Sequence, residues 1–286
     1  MNISDKWLDY ECLTTGDKEK LERWGNIILN RPDPSIIWPK TNNKLWNTWD
    51  GYYHRSNTGG GYWEYKKKIP ESWTIKYQDL TFKVKPTSFK HTGIFPEQAT
   101  NWDYIMDKIK TSNNKEFRAL NLFAYTGCAT MAASSAGAKE VVHVDSSKGM
   151  IDWAKENMKL SHLENNTIRF IQEDVLKFLD REIRRGRTYH AIIMDPPSYG
   201  RGPNKEVWHY IDDIQALLKK SKELLDKDYS FLLINSYTTG LSPTSLKNIL
   251  SLIFNDSNIE TGEIGLPVTE NNLVLPCGIY GRVSKD

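Results

Sequence analysis

The sequence predicts an α/β fold, a Rossmann-like sheet of seven strands, with a small β-rich domain in front of it. Three observations support this prediction. After about residue 97, strand-like and helix-like segments alternate, which is typical of a parallel sheet covered by helices on both faces. Before about residue 90, short β-branched and aromatic segments are separated by Gly, Pro and Asn. The chain then ends on two consecutive strand-like segments.

The alternating part begins with a helix predicted over residues 97–109. Five apolar or β-branched segments follow and predict strands, at 118–123, 140–144, 167–171, 190–194 and 229–234. Helices are predicted between them, at 129–136, 148–160, 175–185 and 207–225. Two last strands, predicted at 259–264 and 273–283, complete the seven, an ending that a nicotinamide-binding fold would not have. Right-handed crossovers place the ligand crevice at the carboxyl ends of the parallel strands.

The first 90 residues predict strands at 35–38, 73–77 and 80–84, and turns at 31–34 and 57–61. Seven of the ten tryptophans precede residue 75. We interpret these rings mainly as the core of a small β domain, and a surface that stacks on nucleic-acid bases is the alternative. The predicted domains are therefore residues 1–90, a candidate for substrate recognition, and residues 91–286, which carry the ligand site.

Composition excludes some classes of protein. The 286 residues are 39% hydrophobic, which is enough for a full core. With 38 Lys and Arg against 36 Asp and Glu, the net charge of +2 excludes a strong overall nucleic-acid signature but not a local basic patch. The three cysteines are widely spaced without a CxxC pair, which predicts a reducing, cytoplasmic location. The histidines are dispersed, so no bound metal is predicted. No apolar run is long enough to predict a signal peptide or a membrane span.

Three successive strand ends carry residues suited to a nucleoside. The turn 121–127 ends in Gly127, which can take a positive φ and let backbone N–H groups approach a ligand, although Tyr125 replaces the first glycine of the usual Gly-x-Gly. Asp145 ends the second strand and would accept the ribose hydroxyls of an adenosine ligand. Asp174 follows the third strand and would accept from an adenine amine. Helix capping is the alternative role for both carboxylates. The occurrence of these residues at successive strand ends favours the nucleoside site, because one nucleoside would contact all three loops.

The fourth strand ends in Asp195-Pro196-Pro197-Ser198-Tyr199-Gly200-Arg201. Two prolines stiffen the backbone and remove N–H donors, so their carbonyls are predicted to face the crevice without competition. Asp195 would orient a substrate amine or hydroxyl, or accept its proton. Tyr199 would stack on a planar substrate. The alternative is that this segment is only a rigid structural turn. Its predicted position at the crevice makes a ligand site the preferred interpretation, because loops at these strand ends usually bind ligands.

Together, residues 120–127, 144–148, 153–157 and 195–202 resemble class I methyltransferases that use S-adenosylmethionine (SAM), in particular the bacterial large-subunit rRNA methyltransferases. That family includes cytosine-C5 and guanine-N7 enzymes. The resemblance extends over residues 85–283, through 91–98 and 275–280, but the first 90 residues do not match the RNA-binding domain of some relatives. It implies donor contacts, with the segment 92–95 lying over the pocket. The implied contacts are Thr92, Gly93, Phe123, Ala124, Tyr125, Thr126, Gly127, Asp145, Ser146, Asp174 and Asp195.

The acceptor is predicted to be a nitrogen or an oxygen. C5 methylation of a pyrimidine needs a cysteine nucleophile, which relatives carry after the fifth strand, and residues 234–237 contain none. Cys277 is a remote candidate for that role. The predicted catalytic residues are Asp195, Pro196 and Tyr199. The predicted substrate contacts are Ser198, Arg201, Lys205, Asn235 and Tyr237.

These observations favour a methyltransferase that acts on RNA, with rRNA as the expected substrate. A methyltransferase for a protein side chain or a small molecule is the first alternative. A nicotinamide dehydrogenase or a nucleotide-binding protein without catalysis is a more remote one, because the G-x-G-x-x-G motif is missing and neither gives a role to Asp195-Pro196-Pro197.

Overall fold

The computed structural model describes residues 1–41, 44–56 and 60–285, in which the chain forms two compact units. The first unit contains Met1–Thr100 and Ile264–Cys277, and the second contains Asn101–Glu263 and Gly278–Asp286. Residues 57–59 of the turn predicted at 57–61 lie outside the described residues. The assignment of substrate recognition to residues 1–90 stays a prediction.

The first unit is built from short strands. In chain order they are β1 (Asn2–Ile3), β2 (Tyr10–Gly16), β3 (Glu19–Trp24), β4 (Ile27–Pro32), β5 (Gly51–Arg55), β6 (Gly61–Tyr65), β7 (Trp73–Tyr77) and β8 (Leu80–Val84), with short 3-10 helices at Lys44–Asn47 and Pro96–Gln98. Strands β2 to β6 form one sheet in chain order, and β7 and β8 form a hairpin. The last two agree with the predicted strands at 73–77 and 80–84.

The strand predicted at 35–38 is wrong. These residues form a turn and irregular chain. The carboxylate of Asp33 accepts hydrogen bonds from the backbone N–H and the hydroxyl of Ser35, and the N–H of Ile36 donates to the Asp33 carbonyl. Such local bonds compete with a sheet ladder, so the β-branched pair at 36–37 does not extend into a strand.

From residue 99 onward helices and strands alternate, and the last two strands include parts of the segment 264–277, which belongs to the first unit. They are α1 (Ala99–Thr111), β9 (Arg118–Leu122), α2 (Cys128–Ser135), β10 (Glu140–Asp145), α3 (Lys148–Leu160), β11 (Ile168–Gln172), α4 (Val175–Arg184), β12 (Ala191–Met194), β13 (Tyr199–Arg201), β14 (Val207–His209), α5 (Tyr210–Leu224), β15 (Phe231–Ser236), α6 (Pro243–Ile253), β16 (Asn258–Pro267) and β17 (Val274–Ser284). None of the helices in the described ranges is long and apolar enough to cross a membrane.

The strand order confirms the predicted seven-stranded plan. Strands β16, β17, β15, β12, β9, β10 and β11 are successive neighbours, and β1 adds an eighth strand beside β16. β17 runs antiparallel to β15, whereas β9, β10, β11, β12 and β15 are parallel. The helix predicted at 207–225 begins three residues late, because Val207–His209 pairs with Tyr199–Arg201 in an antiparallel hairpin.

Alternate residues of the parallel strands pack into separate clusters. Leu120, Val142 and Ile192 belong to one cluster, together with apolar residues of α4, α5 and α6. Their neighbours Ala119, Val141 and Ala191 belong to another cluster, with residues of α1 and α2. This period of two is what a sheet covered on both faces requires. It leaves the strand ends as the place where polar side chains can gather.

Candidate active site

The candidate site lies at the carboxyl ends of the parallel strands of the second unit. Strand β9 is flanked by β10 on one side and β12 on the other, and chain connections leave it in opposite directions. Such a switch point opens a crevice for ligands. The loops meet there: the N–H of Ala124 donates to the Val144 carbonyl at 3.0 Å, and the N–H of Asp195 reaches the Leu122 carbonyl at 3.4 Å.

The turn after β9 has an unusual backbone. The φ angles of Phe123, Tyr125 and Gly127 are 52°, 50° and 82°. The positive φ predicted for Gly127 is confirmed, and Tyr125 adopts the left-handed conformation that glycine would take in its place. For a residue with a side chain this conformation costs about 1–2 kcal/mol. Strain of this kind persists where surrounding contacts enforce it, and it is concentrated at functional sites.

Gly127 also permits close packing of α3. A Cβ at this position would lie 2.9 Å from the Cβ of Ala154 and 3.3 Å from the ring of His143. Gly127 is therefore required both for its backbone conformation and for the space it leaves free.

A buried polar network that the sequence did not reveal supports this turn. The amide of Asn157 donates to the Thr126 carbonyl at 2.9 Å. Thr130 accepts from Asn121 at 2.9 Å, and its hydroxyl lies 2.9 Å from Nδ1 of His143. Burial lowers the pKa of His143 to about 3, so the imidazole is neutral. These hydrogen bonds tie the turn to α2, α3 and β10 inside the core, while Nε2 of His143 has no hydrogen-bond partner among the described residues.

Asp145 ties the turn after β9 to the turn after β10. One carboxylate oxygen accepts from the N–H of Tyr125 at 2.9 Å, and the other accepts from the N–H of Ser147 at 2.8 Å. Burial raises the pKa of Asp145 above its ordinary value, an effect that the backbone hydrogen bonds from Ser147, Tyr125 and Ser146 oppose. A carboxylate offers about four acceptor positions, and the three backbone N–H groups do not use all of them, so acceptor capacity remains for a ribose hydroxyl. The ribose contact and the contact at Ser146 stay predictions.

Asp145 and Asp174 differ in whether they cap a helix. The side chain that caps α3 is Ser147, which accepts from the N–H of Met150, so Asp145 is not the cap. Asp174 does cap α4, and its carboxylate accepts from the N–H of Lys177 at 3.1 Å. The capping role of Asp174 is thus seen directly, and the adenine contact stays a prediction.

The loop after β12 is held by the hairpin and helix that follow it. The indole of Trp208 donates to the Pro197 carbonyl at 2.6 Å, so this carbonyl is not free as predicted. The Trp208 ring also lies 5.0 Å from the ring of Phe123, which links this loop to the turn after β9. The N–H of Tyr210 donates to the Ser198 carbonyl at 3.1 Å. The sequence identified neither role, because each depends on folding of the 199–209 hairpin.

Several predicted substrate contacts lie on this exposed hairpin. Tyr199 is 49% exposed, and its hydroxyl accepts from the guanidinium of Arg201 at 3.0 Å. The ring of His209 lies edge-on to Tyr199 at 5.0 Å. Lys205 occupies the turn with a φ of 69°. The hydroxyl of Ser198 lies 2.9 Å from that of Thr238. These residues lie on the loop and hairpin that follow Asp195 in the chain, and their contacts with substrate stay predictions.

Asn235 and Tyr237 differ in their surroundings. Asn235 is buried, and its side-chain oxygen accepts from the amide of Asn101 at 2.8 Å, while Arg282 donates to the Asn101 oxygen at 3.2 Å. The hydrogen-bonding capacity seen for Asn235 is therefore directed to α1. The ring of Tyr237 borders Gly278, where a Cβ would meet it at 3.0 Å. Substrate contacts of both residues stay predictions.

Tyr210 is a residue that the sequence analysis missed. It begins α5 and is 2% exposed, and its buried hydroxyl lies close to the side chain of Ser236. Burial raises the pKa of Tyr210 to about 12; hydrogen bonding to Ser236 opposes this shift, and the carboxylate of Asp195 adds to it. Its position near Asp195 makes it a candidate for positioning that carboxylate.

Thr92 and Gly93 belong to the first unit. Both are buried, and the Thr92 carbonyl accepts from the N–H of Lys85 at 3.0 Å. The Thr92 hydroxyl has no hydrogen-bond partner among the described residues, and Gly93 has a φ of 99°. Their predicted contact with the donor stays a prediction.

The reversed strand order and the loops that meet beside β9 define a protein of the Rossmann-like α/β class, with a ligand crevice at the strand ends. The model of the family described as S-adenosylmethionine-dependent methyltransferase matches residues 52–246. The chain belongs to this family. The predicted enzyme class and its cofactor SAM are thereby confirmed.

Individual relatives agree with this assignment. The chain is 33% identical over 156 residues to the ribosomal RNA large subunit methyltransferase K/L of Pseudoalteromonas translucida, which covers 54% of this chain and 21% of that protein. The chain thus spans about a fifth of the length of such relatives. The crystal structure of a SAM-dependent methyltransferase from Agrobacterium tumefaciens has a TM-score of 0.94 at 32% identity, over 100% of this chain and 93% of that one. The methyltransferase SMU.776, crystallised with S-adenosylhomocysteine, shares the fold with a TM-score of 0.75 at 19% identity, over 98% and 76% of the two chains.

The residues present fit SAM. The left-handed turn at Tyr125 and the acceptor capacity left on Asp145, at the carboxyl ends of neighbouring parallel strands, are features of a site built around a nucleoside. When bound, SAM supplies a methyl group on a positively charged sulfur. The described residues contain no cluster of His, Cys, Asp and Glu that could hold a metal ion.

Proposed function

We propose that this chain methylates RNA, specifically ribosomal RNA, at a nitrogen or oxygen acceptor by direct in-line transfer from SAM. The exposed acceptor side of the site carries this proposal. Pro197, Ser198 and Tyr199 are exposed beside Asp195. Sites for small molecules enclose most of their ligand, whereas an open rim suits part of a large substrate. Relatives named as large-subunit rRNA methyltransferases support RNA as that substrate.

The cysteines support a nitrogen or oxygen acceptor. Cys128 is buried at the start of α2, and burial raises the pKa of its thiol to about 12. Burial also raises the pKa of Cys12 and that of Cys277 well above the ordinary range. Attack on a pyrimidine ring requires a thiolate. Since all three thiols are held protonated, the proposed chemistry does not use a covalent intermediate on the protein.

Direct transfer requires mainly alignment. Holding the acceptor in line with the methyl carbon can supply several kcal/mol of the barrier reduction. In the proposed mechanism, Asp145 and the turn 123–127 bind the nucleoside part of the donor. Asp195 accepts a hydrogen bond from the acceptor group and takes up its proton, and Tyr199 stacks on the base. Pro196 keeps this loop rigid, and Arg201 and Lys205 contact phosphates.

The test is transfer of tritium from labelled SAM into ribosomal RNA from a strain that lacks this gene. Wild-type protein should label the RNA, and Asp195→Ala should not, although it should still bind SAM by calorimetry. Nucleoside analysis of the labelled RNA identifies the methylated atom, and a C5-methylpyrimidine would contradict the acceptor assignment. Label that enters only protein or small molecules would refute the RNA substrate. Because ribosomal RNA is the proposed substrate, the proposed location is the cytoplasm.

A further inference from the structure

A continuous row of aromatic rings lies on the outer face of the β5–β6 hairpin of the first unit. Gly51 and Tyr53 of β5 are buried, so the alternate residues Tyr52 and His54 point outward. Tyr62 lies opposite His54 on β6 and is 65% exposed. With Trp49, which precedes β5, these side chains form what we call the ring row: Trp49, Tyr52, His54 and Tyr62.

The rings of this row touch one after another. The centroids of His54 and Tyr62 are 5.0 Å apart, with 25° between the ring planes. Those of Tyr52 and His54 are 4.1 Å apart, and Trp49 meets Tyr52 edge-on at 5.6 Å. The hydroxyl of Tyr52 donates to the carboxylate of Glu19, which fixes the middle of the row. The row is therefore a preorganised aromatic surface that ends in the exposed ring of Tyr62.

Positive charge follows the row. Residues 44–68 contain five Lys and Arg against two Asp and Glu, a net charge of +3, whereas the whole chain has +2. Lys66 lies over the Trp49 ring at 4.0 Å and donates to the Asn47 carbonyl. Lys67 pairs with Asp50 at 2.7 Å, and Lys68 is exposed. Two carboxylates adjoin the row: Glu64 lies 2.7 Å from Nε2 of His54, and Glu19, beside Tyr52, pairs with Lys40 at 2.6 Å.

We propose that the ring row binds single-stranded RNA, with a base stacked on Tyr62 and the lysines at 66–68 near the phosphates. This inference rests on the proposed function, since RNA is the substrate that it would recruit. Rings on a sheet surface flanked by cations are the usual means of holding unpaired bases, because every base offers a π face. Protein interfaces are also rich in tyrosine, but they are depleted in lysine, so the lysines favour a nucleic acid.

The experiment measures binding of the full chain to a fluorescent, mixed-sequence single-stranded RNA of about 12 nucleotides, the length that such surfaces cover. Tyr62→Ala should raise Kd by about fivefold or more, since one stacking contact is lost. Tyr62→Phe retains the ring and should bind like wild type. Phe89→Ala is the matched control, because Phe89 is a 61% exposed ring outside the row. Its Kd should not change.

The salt dependence of binding tests the cations separately. Each phosphate contact contributes about 0.7 to the slope of log K against log salt for a single strand. Lys68→Ala should reduce the slope by about that amount. Lys159→Ala, an exposed lysine on α3, should leave it unchanged. Equal slopes for wild type and Lys68→Ala would count against the phosphate contact.

Two results separate this inference from the proposed function. If Tyr62→Ala binds RNA like wild type while the wild-type protein labels ribosomal RNA, the ring row is not the binding surface and the function stands. If wild type binds the RNA and Tyr62→Ala loses affinity, but label from SAM enters only protein, the surface stands and the substrate assignment fails. A wild-type protein that does not bind single-stranded RNA refutes the inference.

Discussion

Replacement of Asp145 by alanine tests whether this carboxylate both organises the donor turn and binds the donor. The change removes the acceptors for the N–H groups of Tyr125 and Ser147. Hydrogen bonds to a charged group contribute about 1.5–3 kcal/mol each. Ser147 is exposed, so its N–H regains water, and only the bond to Tyr125 counts in full. Relief of the left-handed strain at Tyr125 returns about 1–2 kcal/mol. We therefore expect a net destabilisation of about 1 kcal/mol.

Asp145→Ala should reduce the free energy of SAM binding more than it reduces the free energy of unfolding. The variant loses the predicted ribose acceptor, and the released turn must be reordered when the donor binds. A loss of about 1–3 kcal/mol corresponds to an increase in Kd of between about fivefold and 150-fold. Isothermal titration calorimetry measures this Kd, and urea unfolding measures the stability. A SAM affinity equal to that of wild type would refute the reasoning, whatever the stability.

Asp145→Asn is the matched variant, because it retains an acceptor oxygen without the charge. Burial raises the pKa of Asp145 above its ordinary 3.8, and in the predicted donor contact the ribose hydroxyls donate to the ionised carboxylate. SAM affinity of the wild type should therefore decrease as the pH falls through this raised pKa. The Asn side chain does not titrate, so the weaker SAM affinity of this variant should not show this decrease at low pH. An identical pH profile for both proteins would exclude Asp145 as the titrating group.

Three further substitutions probe the site and the first unit. Tyr210→Phe removes a buried hydroxyl beside Ser236 and Asp195, so the methyl-transfer kcat should fall, while urea unfolding should show a loss of no more than about 1 kcal/mol, the contribution of one hydrogen bond. A destabilised protein with wild-type kcat would show that the hydroxyl is only structural. Gly127→Ala places a Cβ 2.9 Å from the Cβ of Ala154 at a φ of 82°. We expect the free energy of unfolding in urea to fall by about 1–3 kcal/mol and SAM to bind more weakly. A variant with wild-type stability and SAM affinity would contradict this role of Gly127. Arg31→Leu leaves the carboxylate of Glu22 buried without the guanidinium that lies 2.6 Å away. Thermal unfolding should show a stability loss of about 3–5 kcal/mol, with little change in SAM affinity per folded molecule. A Tm equal to that of wild type would disprove the importance of this ion pair.

Most of the fold could be predicted from local patterns in the chain. Alternation of apolar strands with amphipathic helices determines a parallel sheet, because such strands must be covered on both faces. The boundaries were less predictable where pairing partners compete with propensity. The segment 207–209 has helix-compatible neighbours yet pairs with 199–201, and 35–38 is rich in β-branched residues yet follows the turn at Asp33.

The candidate site was predictable in its parts because carboxylates at successive strand ends share one edge of a parallel sheet. The arrangement of those parts was not. Asp145 and Asp174 look alike in sequence, but one bridges two turns and the other caps α4. Which backbone N–H groups reach each carboxylate depends on loop geometry that no short pattern encodes.

The sequence by itself determined the class of this protein, since the order of the strands and of the residues that follow them is a property of the chain. The tertiary structure alone decided how the loops are held. It places Tyr125 in a left-handed conformation, commits the Pro197 carbonyl to Trp208 and buries the Tyr210 hydroxyl near Asp195 and Ser236. The physical reason is that hydrogen-bond partners and burial are set by residues far apart in the chain, which become neighbours only when the sheet has formed.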